Sequence, residues 1–403
     1  MAVRAAAQLP AIAGGSPVRR VMLPYGHQVV GTEEDRAVLQ VLRSERLTQG
    51  PVCRRFEKKL RAVCGARRLV AFNSGTTALQ AALAVLGIGT DDEVVVPAIT
   101  FVATANAVLY QGARPVVADV ESDTLCLDPA SLERAISPAT RAVVVMHYAG
   151  HPASLEAVLE VARRHRLAVV EDAAHALGAR WTRAGQVVPV GSLADSLCAF
   201  SFHPVKAITT AEGGAVACSS ELLAARLRAF RHHGIADGPD RAADGDRIAM
   251  LGINGRMSEL HAALGEVQLD KLPLLLQRRR QLAARYRQEL ADRRELELPE
   301  ERPGCSSAWH LFAIRLRSGY WRADRNTILQ ALRAEGIGVQ VHYVPLYLHP
   351  HLRRRAGLVA GGCPVAENSW PRLLSLPLWP GMTAADQDDV LEALERVSNF
   401  FRR

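Results

Sequence analysis

The chain has 403 residues, of which 49% are apolar and 22% are charged, and its formal net charge is +8. The chain is longer than a typical single domain, which predicts two domains. Its composition excludes an intrinsically disordered protein. The positive charge comes mostly from arginines scattered over predicted helix faces, which favours a solvated surface over a nucleic-acid partner. A mildly positive surface also suits an anionic substrate.

Targeting signals and metal sites are not indicated by the sequence. The seven cysteines are widely spaced without a CxxC pair, which predicts no disulfide framework, no metal site and a cytoplasmic location. Residues 1–22 are rich in small residues but interrupted by Pro10, so we predict a flexible tail and no signal peptide. The uncharged stretch 94–113 contains Pro97 and several amides and hydroxyls. It predicts a buried strand followed by a short helix, and no membrane span.

Short valine-rich runs alternate with helical patterns over the first half of the chain. The runs are "ARRLVAFNSG", "DEVVVP", "RPVVADV", "TRAVVVMHYAG" and "LAVVEDAAHALGA", and the helical stretches between them include "TTALQAALAVLG", a helix from about Phe101, and "SLEAVLEVARRHR". This alternation predicts an α/β fold with a mostly parallel central sheet covered by helices. Ligands collect at the carboxyl ends of such strands, where polar clusters stand at 73–76, 147–148, 171–172 and 203–206.

A second, smaller α/β unit is predicted at the C-terminal end. An arginine-rich helix that opens near Pro273 and runs to about Arg293 is read as the bridge to it. We therefore assign residues 23–272 to a large domain and residues 273–403 to a small domain that includes the bridging helix. The closing helix of that domain carries apolar residues at helical spacing, namely Val390, Leu391, Leu394 and Val397.

Three features near the strand ends carry candidate chemistry. "NSGTTALQ" offers free N–H groups at a helix N-terminus and suits a phosphate, although alone it is more often an ordinary cap. Asp172 ends an apolar strand, where it either forms a structural ion pair or helix cap or keeps a heterocyclic nitrogen protonated. Lys206 is either a surface lysine or a nucleophile toward carbonyls. Together the three are what pyridoxal 5′-phosphate (PLP) needs: a phosphate site, a ring-nitrogen partner and an imine-forming amine.

Longer motifs extend this reading to nearly the whole chain. "EDAAHALGA", "FSFHPVK", "TTAEGGAV" and "GINGRMSELHAALGEVQLDKL" occur in one order, between "LPYGHQ" at residue 23 and the last helix. In this the sequence resembles the sugar aminotransferases of the DegT/DnrJ/EryC/StrS type. The resemblance implies the fold of fold-type I PLP enzymes and a homodimer with shared active sites.

The resemblance also implies roles for individual residues. The implied catalytic residues are Lys206, which forms the imine with the cofactor, Asp172, which pairs with the ring nitrogen, and His203, which positions substrate or moves protons. The implied cofactor contacts are His175 at the ring hydroxyl, Phe101 on the ring face, Gly75, Thr76 and Ser201 at the phosphate, and Asn254 at the phosphate of the partner subunit. The implied substrate contacts are Thr48, Arg256, His342 and Tyr343.

The finer resemblance is to the pseaminic acid subgroup, the UDP-4-amino-4,6-dideoxy-N-acetyl-β-L-altrosamine transaminases, on motifs such as "LTQGP" and "FVATANAVLY". It implies transfer of the amino group of L-glutamate to C4 of a UDP-linked 4-keto-6-deoxy-N-acetylhexosamine. The chain departs from that subgroup at His151, where Gln is usual, and at Gly255, where an aromatic is usual. Three alternatives stay open: C3 or C4 transamination of a dTDP-keto-deoxysugar for an antibiotic or surface glycan, a PLP sugar dehydratase, and a non-catalytic sensor. The dehydratase branch replaces the imine-forming lysine by histidine, so Lys206 argues against it.

Overall fold

The structure, a computed structural model, describes residues 9–236 and 247–403. Its helices are α1 (Thr32–Leu42), α2 (Pro51–Cys64), α3 (Gly75–Val85), α4 (Val102–Tyr110), α5 (Pro129–Ala135), α6 (Leu155–His165), α7 (Glu221–Arg231), α8 (Glu259–Glu289), α9 (Arg325–Ala334), α10 (Pro350–Ala356), α11 (Pro364–Ser369) and α12 (Ala384–Phe401). Its strands are β1 (Arg68–Phe72), β2 (Glu93–Pro97), β3 (Arg114–Ala118), β4 (Thr140–Met146), β5 (Ala168–Asp172), β6 (Arg180–Arg183), β7 (Gln186–Pro189), β8 (Leu197–Ser201), β9 (Gly214–Cys218), β10 (Leu296–Glu297), β11 (Cys305–Ser306), β12 (Phe312–Leu316) and β13 (Leu373–Leu376).

Within the described residues, the central sheet has seven strands in the order β1-β9-β8-β5-β4-β2-β3. All neighbours pair in parallel except β9, which runs antiparallel to both β1 and β8. The segment 202–213 between β8 and β9 contains no helix, and a parallel crossover normally needs one. The predicted α/β fold with a mostly parallel sheet is therefore confirmed, with one antiparallel strand inserted.

The carboxyl ends of the parallel strands meet at one edge of this sheet. Strand β1 is followed by helix α3, and Ser74 caps that helix by accepting a hydrogen bond from the Thr77 N–H at 3.1 Å. Strand β5 ends at Asp172, and strand β8 ends at Ser201. The uncharged stretch 94–113 forms β2 and α4, as predicted. Among the described residues, no helix combines the length and the apolar character that crossing a bilayer would require.

Helix α8 connects two hydrophobic clusters. Leu275 and Leu276 belong to the cluster around the central sheet, whereas Leu282 and Tyr286 belong to a second cluster around the antiparallel sheet β10-β12-β13. The prediction that this helix opens near Pro273 is wrong. It begins at Glu259 and ends at Glu289, and the Ser258 hydroxyl caps it by accepting from the His261 N–H at 3.2 Å.

Pro273 lies inside α8, so the predicted boundary between residues 272 and 273 falls within a continuous helix. The division of the chain at that point stays a prediction. The closing helix is confirmed as α12, in which Val390, Leu394 and Val397 are buried.

The N-terminal segment packs against the second unit. The Glu335 carboxylate accepts hydrogen bonds from the N–H groups of Ala11 at 2.7 Å and Val18 at 2.9 Å. Arg19 forms ion pairs with Asp386 and Asp389 at 2.8 and 2.6 Å. The prediction of a flexible tail over residues 1–22 is therefore corrected for residues 9–22, and residues 1–8 lie outside the described residues.

Candidate active site

A cavity of about 410 Å³ lies where the carboxyl ends of the central strands face the second unit. Its walls come from the ends of β5 and β8, from the starts of α3 and α4, and from loops of the second unit. The structure brings ten predicted site residues together around this cavity: Gly75, Thr76, Phe101, Asp172, His175, Ser201, His203, Lys206, His342 and Tyr343.

Asp172 presents its carboxylate to the cavity although it is only 2% exposed. The Thr104 hydroxyl donates to its Oδ2 at 2.8 Å, and the Ala174 N–H donates to its Oδ1 at 3.2 Å. Burial raises the pKa of this carboxyl, while the two donors and the nearby Lys206 act in the opposite direction. These partners hold Asp172 in place and leave it available to a cationic group in the cavity.

The neighbouring Glu171 points to the opposite face of the sheet. His147 Nδ1 accepts from the Ala153 N–H at 3.0 Å, so its Nε2 carries the proton and donates to Glu171 Oε2 at 3.0 Å. The Ser196 hydroxyl donates to the other carboxylate oxygen. Glu171 is thus fully buried and occupied by structural partners. The two adjacent carboxylates therefore face opposite ways, as consecutive residues of an extended strand do.

Lys206 lies on the turn after β8, where its N–H donates to the His203 carbonyl at 2.9 Å. Its side chain is half-buried and lines the cavity. Burial lowers the pKa of the amine to about 8, the positive charge of Arg279 acts in the same direction, and Asp172 opposes both. A share of the amine is therefore neutral near neutral pH, as a nucleophile toward carbonyl carbons requires.

The start of α3 forms a cradle for an anion. Because Ser74 occupies the Thr77 N–H, the N–H groups at Gly75 and Thr76 are left to a ligand or solvent. A Cβ at Gly75 would lie 2.6 Å from the Ser201 Cβ, so only glycine lets the end of β8 approach the helix this closely. The approach sets the Ser201 hydroxyl beside the helix N-terminus, which favours a phosphate there.

Imidazole and aromatic rings form the wall opposite the sheet. His175 Nε2 is 2.9 Å from the Tyr343 hydroxyl, and its ring centroid is 4.1 Å from that of His310. The Nδ1 atoms of His175 and His310 have no partner among the described residues, and burial lowers the pKa of both rings well below the ordinary value. Phe101 is 51% exposed, and its ring centroid is 5.6 Å from that of Tyr343.

Three predicted residues do not line this cavity. Thr48 is exposed and bridges to Ser258 through the backbone. The exposed Asn254 accepts from the Asn73 amide through its carbonyl at 3.2 Å. Arg256 contacts His232 Nδ1 at 2.8 Å. Their roles, which the resemblance assigns with a partner subunit, stay predictions.

The two departures from the subgroup pattern have different surroundings. The His151 Nδ1–H donates to the Pro152 carbonyl at 2.7 Å, and its Nε2 accepts from the Arg302 N–H at 3.1 Å, so this ring has a structural role outside the cavity. Gly255 packs under the start of α3, where a Cβ would lie 2.9 Å from Thr77 Cγ2. A larger residue at position 255 would push against Thr77 and displace the start of α3, which forms the anion cradle.

Sequence reasoning missed four residues at or behind the site: Tyr25, Glu212, Arg279 and His310. Tyr25, Glu212 and His310 line the cavity, and Arg279 binds the carbonyl of Lys206 from behind. Tyr25 and His310 lie in the segments "LPYGHQ" and "SSAWHLFAIRL", so their polar rings within apolar runs were a usable signal. Arg279 looks like any other residue of the run "LQRRRQ" and gave none.

Comparison with known proteins identifies the family. Residues 28–395 match the model of the DegT/DnrJ/EryC1/StrS aminotransferase family. The chain belongs to this family. It is 37% identical over 385 residues to the spore coat polysaccharide biosynthesis protein SpsC of Bacillus subtilis (strain 168), with 94% of this chain and 98% of SpsC covered. The resemblance found in the motifs is thus confirmed at the level of a sugar aminotransferase.

Solved structures of similar proteins agree with the family. PseC of Helicobacter pylori, an aminotransferase involved in the biosynthesis of pseudoaminic acid, has a TM-score of 0.87 and 30% identity, with 94% of this chain and 100% of that chain covered. Spr1654 of Streptococcus pneumoniae, solved in PLP and pyridoxamine phosphate forms, has a TM-score of 0.86 and 29% identity, with 94% of this chain and 98–99% of that chain covered. Fold type I and PLP as the cofactor are therefore both established.

The positions and chemistry of the residues that line the cavity also fit PLP. The cradle at Gly75 and Ser201 suits a phosphate, and the buried Asp172 carboxylate suits a protonated ring nitrogen. The unpartnered Nδ1 of His175 can contact a ring hydroxyl, and the exposed ring of Phe101 can pack against a flat ring. No feature of this cavity conflicts with that cofactor.

Proposed function

We propose that this sugar aminotransferase takes the amino group of L-glutamate and delivers it to C4 of a UDP-linked 4-keto-6-deoxy-N-acetylhexosamine. The observation that carries the transaminase chemistry is the convergence of Lys206, Asp172 and the α3 cradle on one cavity. The substrate is supported by the subgroup motifs and by the similarity to PseC.

In this proposal the chain's own residues hold the cofactor at both ends. Ser201 and the N–H groups of Gly75 and Thr76 bind the phosphate, Asp172 pairs with the ring nitrogen, and Phe101 covers one ring face. When bound, PLP supplies the electron sink that stabilises negative charge at the carbon bonded to the transferred nitrogen. Asp172 keeps a proton on the ring nitrogen, and its burial makes that interaction strong.

Lys206 has two tasks at its Nζ atom. As a neutral amine it binds the cofactor covalently. Once displaced by the amino donor, it takes up a proton from one carbon atom and returns it to another. A pKa of about 8 suits both tasks, because neutral and protonated forms are then both populated near neutral pH. His203, on the same turn, positions the substrate or assists these proton movements.

The sugar nucleotide is placed by residues of two subunits in this proposal. Tyr343 and His342 form a wall whose rings can pack against the apolar C6 methyl of a deoxysugar. Thr48 and Arg256 lie outside the cavity of their own chain and are proposed to act, with Asn254, in the site of a partner subunit. The enzyme is then a cytoplasmic homodimer in which each site is built from both chains.

A second candidate is C3 or C4 transamination of a dTDP-linked keto-deoxysugar for a surface glycan or antibiotic. Gly255 favours it, because the residue usual in the pseaminic acid subgroup is aromatic and Gly255 packs against the cradle helix. The similarity to SpsC, a polysaccharide biosynthesis protein, points the same way.

One experiment separates these candidates. The PLP-loaded enzyme is incubated with L-glutamate and, in turn, UDP- and dTDP-linked 3-keto and 4-keto deoxysugars. Products are weighed by mass spectrometry and the amine position is assigned by NMR. The proposal expects a C4 amine on the UDP-linked N-acetyl sugar at the highest kcat/KM. Preferred turnover of a dTDP sugar, or a C3 amine, selects the second candidate, and no amine on any sugar contradicts both.

A further inference from the structure

Behind Lys206 lies a fully buried guanidinium, that of Arg279 on α8, which is 1% exposed. Its Nη2 donates to the carbonyls of Val205 at 3.2 Å and Lys206 at 3.3 Å. Its Nη1 donates to the carbonyls of Trp309 and His310, both at 3.3 Å, and of Leu378 at 3.0 Å. One side chain thus ties the Lys206 turn to two segments of the second unit.

This arginine is not explained by charge pairing. Within the part of the chain that the structure describes, no carboxylate lies within ion-pair distance of Arg279, and burial lowers the pKa of its guanidinium to about 10. Burying a charge without a counter-ion costs desolvation free energy, so a neutral side chain would make a purely structural link with less loss of stability. The planar fork of arginine offers donors to several carbonyls at once, which lysine cannot match.

The charge of Arg279 acts on the Lys206 amine. Other charged or titratable groups line the cavity together with that amine: Asp172, Glu212, Tyr25, Tyr343 and the rings of His175, His203, His310 and His342. Burial lowers the pKa of the His175, His310 and His342 imidazoles, that of His342 to about 4, so these three are neutral at working pH. Among these groups and Arg279, the charge of Asp172 raises the pKa of the Lys206 amine and the charge of Arg279 lowers it.

We propose that Arg279 is a positioning residue for Lys206: its guanidinium fixes the backbone of the lysine turn and places a buried positive charge directly behind it. The inference rests on the proposed function in taking Lys206 as the residue that binds PLP covalently. The geometric part concerns the five carbonyl contacts, and the electrostatic part concerns the charge alone. The two parts can be tested separately.

The electrostatic part is tested on the cofactor-stripped full-length protein. Trace acetylation of the Lys206 amine between pH 6 and 10, read by peptide mass spectrometry, gives its titration midpoint without substrate or cofactor. In Arg279→Gln the midpoint should rise by about 0.5 to 1 pH unit, leaving about 3- to 10-fold less neutral amine at pH 7. In Arg279→Lys, which keeps the charge, the midpoint should stay within about 0.2 units of wild type.

The geometric part is tested by adding PLP to the same proteins and following the visible absorbance of the covalent complex. At a pH above the midpoint, where the amine is neutral in every variant, Arg279→Lys should attach PLP about tenfold more slowly, because an ammonium cannot hold all five carbonyls. Arg278→Gln is the matched control. Arg278 is the preceding residue of α8 and donates to the Met382 carbonyl at 3.0 Å, so its loss should change neither readout.

An unchanged midpoint in folded Arg279→Gln would overturn the electrostatic part, and attachment at the wild-type rate in Arg279→Lys would overturn the geometric part. If Arg279→Gln does not fold by circular dichroism, Arg279→Lys decides: a wild-type midpoint with slowed attachment supports the proposal, and any other pairing contradicts it. A wild-type protein that never develops the absorbance would contradict the proposed function, while the labelling midpoints would still report the influence of Arg279.

Discussion

Replacing Asp172 by asparagine should change two properties in opposite directions. The substitution keeps the shape of the side chain and the Oδ1 acceptor for the Ala174 N–H, and its Nδ2 amide can donate to the Thr104 hydroxyl in place of accepting from it, but it removes the negative charge. In the cofactor-free protein that charge stabilises the protonated form of Lys206. Asp172→Asn should therefore lower the pKa of Lys206 and make its amine more reactive, while turnover with PLP falls because the ring nitrogen loses its partner.

The sizes of both effects follow from the site. With a pKa of about 8, roughly one tenth of the Lys206 amine is neutral at pH 7, against about one part in 3,000 at the usual 10.5. The gain in neutral amine cannot exceed about tenfold, and a drop of about one unit gives about fivefold. The loss in the proton-transfer step should be about 10²- to 10⁴-fold, or about 3 to 5 kcal/mol.

Trace acetylation of Lys206 at pH 7 measures the first effect, and the absorbance change on adding L-glutamate to the PLP form measures the second. Glu171→Gln is the matched control, because Glu171 is adjacent in sequence but bonded to His147 and Ser196 on the other face. It should alter the rate less than about threefold and instead cost about 1 to 3 kcal/mol of unfolding free energy. Normal turnover in Asp172→Asn together with an inactive Glu171→Gln would refute the placement of the cofactor.

Three further predictions follow from the same geometry. The rate of covalent PLP attachment should rise with pH up to about 8 and then level off, since only the neutral Lys206 amine reacts; a rate independent of pH in stopped-flow absorbance would contradict this. Gly75→Ala should weaken PLP binding about tenfold or more, because the added methyl would collide with the Ser201 side chain. A wild-type affinity for PLP in equilibrium dialysis would contradict the role of this cradle in phosphate binding. Mixing Asn254→Asp with Lys206→Ala subunits should restore part of the activity if sites are shared, and no recovery after verified subunit exchange would argue against sharing.

Most of the central unit could be predicted because its signals are local. The valine runs of β2, β4 and β5 are each bounded by turn residues, and the chemistry of Asp172 and Lys206 depends on residue types at strand ends. The antiparallel course of β9 was also within reach, since 202–213 holds no helical pattern for a crossover.

The start of α8 was missed because Pro273 was read by its preference for the first helical turn. The Ser258 cap before "ELHAALGEVQL" was the better signal. The wall of the cavity was only partly predictable, for a different reason. His310 and Arg279 reach the Lys206 turn from 104 and 73 positions further along the chain, and no local pattern encodes such a meeting.

The continuity of α8 has a consequence for how the protein folds. Leu275 and Leu282 lie on the same helix, α8, but belong to different hydrophobic clusters. Unfolding of the helix in one cluster would therefore disturb the packing of the other. Heat or denaturant should then melt the chain in one cooperative step instead of unit by unit. A fragment that ends at residue 272 would lack the second half of α8 and the Arg279 guanidinium behind Lys206. Its Lys206 would be present in sequence but without the hydrogen bond that Arg279 donates to its carbonyl.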